Sequence, residues 1–308
     1  MLPNAGQQPV VPRQIIRQTI NHLPTDRIPK GELLIEDAVV SQVLGSPTVG
    51  FADRLMCCRH LEQDLICLQP EYGSPAQALP AAEMVNWPDL KDWVEKSNLF
   101  TFAMLDGPIG WGTKIYGYSE FLILSRRSPL EFAGLIEAVT RLNTALAGKL
   151  IDQGIDGILL ADDMAFQRGL LFNQKVIREQ MFPAAAGIIA LGRQAGIPVF
   201  MHSDGNLSAI MADIVEAGFN GLHCLDKNAG MYPLELQRLF GKDLCFWGGL
   251  AVEDLEQAKD DQYRQQLVSE VRQLHANRGF ILGTNSGLFA GINVQNLMEI
   301  IETISNVD

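Results

Sequence analysis

From Leu33 to Ser286 the chain alternates short apolar runs with longer segments of helical period, and most of the runs end in a polar or glycine residue. The first four are Leu33–Ile35 before Glu36-Asp37, Leu65–Leu68 before Gln69, Phe100–Leu105 before Asp106, and Gly157–Ala161 before Asp162-Asp163. The second half adds Val199–Met201 before His202, Gly221–Leu225 before Asp226, Leu244–Trp247 before Gly248-Gly249, and Phe280–Leu282 before Gly283 to Ser286. Each has strand length, whereas Pro129–Ile151, Gln174–Gly196 and Ser208–Gly218 between them read as helices. Strands alternating with helices predict a parallel sheet, and about eight repeats predict an α/β fold closed as one TIM (β/α)8 barrel. Side chains at the C-terminal strand ends then share a single mouth, where such barrels carry out their chemistry.

Punctuation supports the same division. Gly154, Gly196 and Gly218 each follow a helical segment and precede a strand, as left-handed C-caps do. A first helix is expected from about Arg13 to His22, after a loose extension over residues 1–12, so the barrel domain spans 13–308. Two connections are long and aromatic: Pro70–Trp93, with Tyr72 and Trp87, and Gly107–Arg127, with Trp111, Tyr116 and Tyr118. Loops of this kind serve as lids or substrate walls, or simply elaborate the surface.

Composition narrows the function. A length of 308 residues with 47% hydrophobic and 19% charged residues suits one large soluble core. The net charge of -12 repels a nucleic-acid duplex or an anionic membrane, so neither is an expected partner. No charged start leads into an apolar segment, and no apolar stretch approaches the roughly 18 residues that span a bilayer, which predicts a cytoplasmic protein. The five cysteines are odd in number and form no CxxC pair, so Cys57, Cys58, Cys67 and Cys245 read as small buried hydrophobes; Cys224 stands apart because it falls near a strand end.

Strand alternation places candidate chemistry. Residues two apart share a face, so Phe200, His202 and Asp204 point into the mouth while Val199, Met201 and Ser203 face the helices. The same alternation turns Cys224 and Asp226 inward and His223 outward. His202, Asp204, Cys224 and Asp226 form a candidate ligand set for zinc or another divalent metal, with Asp162 or Asp163 nearby. The alternative is an acid/base pair in which Asp204 orients His202. His202, Asp204, Asp162 and Asp163 are accordingly the candidate catalytic residues. Gln69, Glu71, Asp106, Trp111, Tyr116, Asn206, Asn285 and Ser286, at strand ends or in long loops, are the candidate substrate contacts. Gly248-Gly249 and Gly283 occupy the usual place of a phosphate grip, or allow close backbone packing. Glu253-Asp254, Asp260-Asp261 and Arg126-Arg127 read as solvated surface charge.

Pro198–Asn206 followed by Glu216–Leu222 resembles the core motif of the uroporphyrinogen decarboxylase superfamily, which also contains the cobamide-dependent methyltransferases. Further blocks agree in order: Thr25–Pro29, Gly107-Pro108, Asp162–Ala165 with Gln180–Pro183, Tyr232–Leu236, Gly248-Gly249, and Gly279–Gly283 with Gln295-Asn296. The resemblance runs from about Arg13 to Ile304 and implies a TIM barrel.

Departures bear on the reaction. The decarboxylases carry an Arg-Gln-Ala-Gly-Arg segment whose arginines meet substrate carboxylates, and the corresponding Ile28–Leu34 has no arginine. Their Phe-Ser-Asp motif falls near Leu68–Glu71, their serine after the fourth strand is Asp163, and their late histidine aligns with Ser286. The zinc methyltransferases place a His-x-Cys pair on the fifth strand and a later Cys near the eighth; here stand His202-Ser203-Asp204, and Asn285 or Ser286. The resemblance therefore implies methyl transfer between a small methylated substrate or thiol and a corrinoid, the latter carried by a partner protein, with zinc assistance. The alternatives are decarboxylation of uroporphyrinogen or a related carboxylate, and a barrel that binds a corrinoid or tetrapyrrole without turnover.

Overall fold

A computed structural model describes residues 11–73 and 78–305. Most of the expected N-terminal extension, residues 1–10, lies outside the described residues, and the first helix begins at Pro12 and ends at Ile20. Eight parallel strands form one sheet in chain order: β1 Gly31–Glu32, β2 Leu65–Leu68, β3 Phe100–Asp106, β4 Gly157–Ala161, β5 Val199–His202, β6 Gly221–His223, β7 Cys245–Leu250 and β8 Phe280–Thr284. A bridge between Lys30 and Leu282 joins the first strand to the last, so the sheet closes as a (β/α)8 barrel.

The inside of the barrel is a packed layer. Leu65, Cys67, Phe100, Phe102, Leu159, Phe200, Cys245, Trp247 and Ile281 form one cluster of buried side chains, with Phe102 against Phe200 at 5.1 Å and stacked on Trp247 at 5.6 Å. These are alternate positions along their strands, as the pleat requires. Ile16, fully buried, joins them from the N-terminal helix. Arg13 and Arg17 of that helix pair with the buried Asp156 at 3.0 and 2.6 Å, and it packs against β3 and β8. The helix thus covers the N-terminal end of the barrel, leaving the opposite end for chemistry. At that covered end Arg27 forms a two-pronged ion pair with Asp64, which is fully buried, so the Thr25–Pro29 block is structural.

Most predicted elements stand where the periodicity put them. The helix over Pro129–Asp152 is continuous, and Gly154, Gly196 and Gly218 take φ of 82°, 70° and 93° at their helix ends. The segment from Gln174 to Ala195 is helical but widens to a π turn over Ile177–Met181. Pro183 explains this: it offers no N–H and its ring collides with the carbonyl four residues back, which the wider turn avoids.

The first strand is a correction. The apolar run Leu33–Ile35 was the expected strand, whereas pairing with β2 involves Gly31 and Glu32. Glycine lets the chains approach, because a Cβ on Gly31 would lie 2.1 Å from Leu65 Cγ. Leu33 still enters the interior, and Ile35 bridges Leu288 beyond the end of β8.

Candidate active site

Strand β5 delivers His202 to the mouth, and the turn that follows is tied to its neighbours. Ser203 Oγ accepts the Met164 amide at 2.9 Å, and the Ser203 amide donates to the His223 carbonyl at 3.0 Å. Gly205 then takes φ 86° and lies so close to the Ala165–Phe166 backbone that a Cβ would be 2.7 Å from Phe166 Cα. Only glycine fits this close, left-handed turn. The Asp204 amide consequently donates to Asp163 Oδ1 at 3.0 Å, joining the ends of β4 and β5.

The expected outward direction of His223 is overturned. His223 is fully buried, and its Nδ1 lies 2.7 Å from Nδ1 of His202. The reason is interstrand register: Gly221 pairs with Phe200 and His223 with His202, and residues side by side in a parallel pair project to the same face. Strand β6 ends at His223, so alternation no longer governs Cys224. Cys224 is also buried and its thiol donates to Asp204; burial first, then the nearby Asp204 carboxylate, pushes that thiol up, away from thiolate formation.

On its other side His223 directs Nε2 to the Thr284 carbonyl at 3.3 Å, and its ring meets Trp247 edge-on at 4.7 Å. Burial, and next the neighbouring His202, hold the His223 pKa well below the usual imidazole range, so His223 is neutral. Thr284 in turn donates from its amide and its hydroxyl to Glu32, a carboxyl 2% exposed whose pKa burial raises to about 7. Glu32 and Thr284 escaped the sequence reading. Strand parity on β1 and β8 would have drawn attention to them, had β1 been placed correctly.

Three of the candidate residues meet at the mouth. One ligand atom each from Asp163, His202 and Asp204 lies within 4.8 Å of the others, and His202 Nε2 is 3.9 Å from Asp163 Oδ1. Both aspartates reach solvent while His202 is 9% exposed. The Asp204 pKa is raised, chiefly by burial of its carboxylate, against the opposing pull of His202, with Asp163 adding repulsion. This nitrogen and two oxygens suit a divalent cation of intermediate hardness. Among the described residues Cys224 and Asp226 fall outside that group: Asp226 Oδ1 accepts the Asn228 amide at 2.8 Å and starts a short 3-10 turn. Asp163, expected near the ligand set and named as a candidate catalytic residue, stands beside His202.

Asp162 is a different kind of group. Its Oδ1 accepts the amides of Ile109 at 2.7 Å and Gly110 at 3.3 Å, at the start of the helix Pro108–Tyr116. Burial raises its pKa to about 8 despite those donors, and Oδ2 has no hydrogen-bond partner among the described residues. Gly107 makes room for it, since a Cβ there would be 2.3 Å from Asp162 Cγ.

A second constellation lies at the end of the neighbouring strand β3. Asp106, at the end of β3, accepts from Tyr72 Oη and Lys114 Nζ. The Lys114 ammonium also sits 4.9 Å from the Tyr72 ring and 5.1 Å from that of Trp111, two rings packed edge to face at 4.7 Å. Both long loops therefore meet here. Lys114 had no signal in the sequence beyond its loop. Trp111 is buried and forms wall rather than surface, and Tyr116 bonds Glu131.

The other expected substrate contacts are divided. Asn285 is fully engaged with backbone: Oδ1 accepts from Gly249 at 2.9 Å and Leu225 at 3.3 Å, and Nδ2 donates to Leu225 O at 3.1 Å. It ties the turn after β6 and the end of β7 to the turn after β8. This accounts for Gly248-Gly249 as close backbone packing, because a Cβ on Gly248 would lie 2.8 Å from Asn285 Oδ1. Asn206 Oδ1 accepts the Ser208 amide at 3.0 Å, Gln69 Nε2 donates to Leu33 O at 2.9 Å, and Glu71 and Ser286 are exposed. A cavity of about 760 Å³ bordered by Arg27, Lys30, Arg59, Glu62 and Arg272 lies at the opposite, N-terminal end. None of the mouth residues lines it, so convergence of titratable groups, not cavity size, marks the site.

Fold and site together define a (β/α)8 barrel with an imidazole and carboxylates gathered at its C-terminal mouth. Residues 94–307 match the family described as uroporphyrinogen decarboxylase (URO-D), and the chain belongs to that family. No curated protein matches it. Its structure is similar to that of a methyltransferase from Methanosarcina mazei, with a TM-score of 0.73 and 12% identity over 96% of this chain and 99% of that one. At that identity the likeness is one of fold. Weaker matches are a Xaa-Pro dipeptidase with bound methionine, TM-score 0.40 and 13% identity over 91% and 70% of the two chains, and a dihydropteroate synthetase, TM-score 0.40 and 12% identity over 92% and 96%. Among the described residues no helix is long and apolar enough to cross a membrane.

Proposed function

We propose that this family member is an enzyme that moves a methyl group between a small methylated substrate or thiol and a corrinoid carried by a partner protein. His202, Asp163 and Asp204 would hold zinc or another divalent cation at the mouth. Bound there, the cation supplies Lewis acidity to the heteroatom that gains or loses the methyl group. The chain's own groups do the rest. His202 offers Nε2, Asp163 and Asp204 offer charge, and the Cys224 thiol supports Asp204 by donating to it.

The observation that carries this reading is the charge at the mouth. Asp106, Asp163, Asp204 and Asp226 stand at or just past strand ends, and Lys114 there is already engaged with Asp106. A substrate with many carboxylates would be repelled. A cation, or a small neutral or positively charged substrate, would be drawn in. The test has two arms. Dialysed protein titrated with zinc should bind one equivalent, and His202→Ala should abolish that binding. With small thiols methylcobalamin should lose its methyl group to give the thioether and cob(I)alamin, and with methylated amines, alcohols or sulfides cob(I)alamin should gain one to give methylcobalamin, both followed by absorbance. No metal binding and no corrinoid-dependent turnover would reject the proposal. Release of CO2 from uroporphyrinogen would replace it with decarboxylation, and a corrinoid spectral shift without turnover with a binding role.

A further inference from the structure

We propose that His223, held by Thr284 and Glu32 behind it, is a positioning residue that locks His202 in one tautomer, with the proton on Nδ1 and the lone pair on Nε2 facing Asp163 and Asp204. The inference deepens the reading of the mouth as a cation site and rests on it only for the consequence, not for the tautomer itself.

A backbone carbonyl only accepts, so the contact of 3.3 Å between His223 Nε2 and Thr284 O requires the His223 proton on Nε2. Its Nδ1 then presents a lone pair to Nδ1 of His202 2.7 Å away, which must donate. His202 Nε2 is left without a proton, aimed at Asp163 Oδ1 3.9 Å away. A lone pair facing two carboxylates is poorly matched until a cation lies between them. Histidine ligands in metal sites are commonly oriented through the second ring nitrogen in this manner, although the usual partner is a carboxylate or a carbonyl.

The lock is rigid because each member is packed. Trp247 lies edge-on to His223 at 4.7 Å and its Nε1 donates to Gly31 O at 2.8 Å, which fixes the indole against β1. Thr284 is fully buried, and its amide donates to Glu32 at 3.1 and 3.2 Å, so the accepting carbonyl is held in place at the end of β8. The register of β6 on β5 puts His223 beside His202 in the first place.

The experiment is long-range proton–nitrogen NMR on metal-free full-length protein with ¹⁵N-labelled histidine rings, with the two signals assigned by His202→Gln and His223→Gln. The expected result is His202 as the Nδ1–H tautomer and His223 as the Nε2–H tautomer. His223→Leu should shift His202 toward the Nε2–H form that free imidazole side chains favour, and weaken zinc binding at least tenfold. His223→Gln, whose amide oxygen accepts from His202, should restore both, which a merely space-filling role would not do. Nε2–H on His202 in the parent protein, or an unchanged tautomer in His223→Leu, would overturn the proposal. The expected tautomers in a protein that binds no metal would uphold the lock and reject the cation reading alone. Circular dichroism identifies a variant that fails to fold, and the parent spectrum decides the matter without it.

Discussion

Replacing Glu32 by Gln keeps the shape of a buried side chain and removes its ability to ionise. Glu32 is 2% exposed and accepts from both the amide and the hydroxyl of Thr284, yet burial outweighs those donors and raises its pKa from 4.5 to about 7. The folded protein thus binds this proton more tightly than the unfolded chain does. Stability from Glu32 is fully present below pH 4.5, falls as the pH rises through the window from 4.5 to about 7, and is gone above it. At about 1.4 kcal/mol per pH unit this amounts to about 3 kcal/mol. Asp162, with its pKa raised to about 8, weakens the parent in the same direction, but it does so equally in Glu32→Gln, so the difference between the two proteins isolates Glu32. Urea unfolding followed by tryptophan fluorescence at pH 5, 6, 7 and 8 measures it. The variant should gain on the parent by about 2–3 kcal/mol between pH 5 and pH 8, slightly less than the full effect because part of the window lies below pH 5. A difference that stays constant across that range would refute the claim that Glu32 resists ionisation in the folded state.

Gly205→Ala forces a left-handed φ of 86° on a residue with a Cβ and pushes that atom against the Phe166 backbone. A loss of at least about 2 kcal/mol in stability is expected, together with weaker zinc binding because Asp204 moves; calorimetry of both properties checks it. Asn285→Ala strands the Gly249 and Leu225 amides and the Leu225 carbonyl, and should cost about 2–3 kcal/mol, read as a fall in the urea midpoint. Its effect on KM would separate a clamp from a substrate contact, since a clamp lowers stability first.

How much of the site was legible follows from what periodicity encodes. Apolar runs of strand length and glycine stops locate strand ends, so His202, Asp163, Asp204 and Asp106 could be named as mouth residues before any coordinates. Alternation also sorted Phe200 and His202 correctly, because it is a property of one strand alone. The direction of His223 was not legible. It depends on how far β6 is staggered along β5, and no local pattern reports that stagger. Glu32 was missed for a related reason, since the strongest apolar run near β1 begins one residue after the paired segment ends.

The sequence by itself determined the (β/α)8 barrel, the end at which chemistry is placed and the family, for these rest on periodicity, turn residues and motif order along one chain. Only the tertiary structure decided which groups meet. It joined Asp163 to His202 and Asp204, gave Cys224 to Asp204 as a donor, and turned Asn285 into a clamp. It also set His223 behind His202, where a buried neutral imidazole fixes the proton that the mouth residue carries. Closure of the barrel brings residues 21 to 252 positions apart within hydrogen-bonding distance, and such distances exist only in the folded chain.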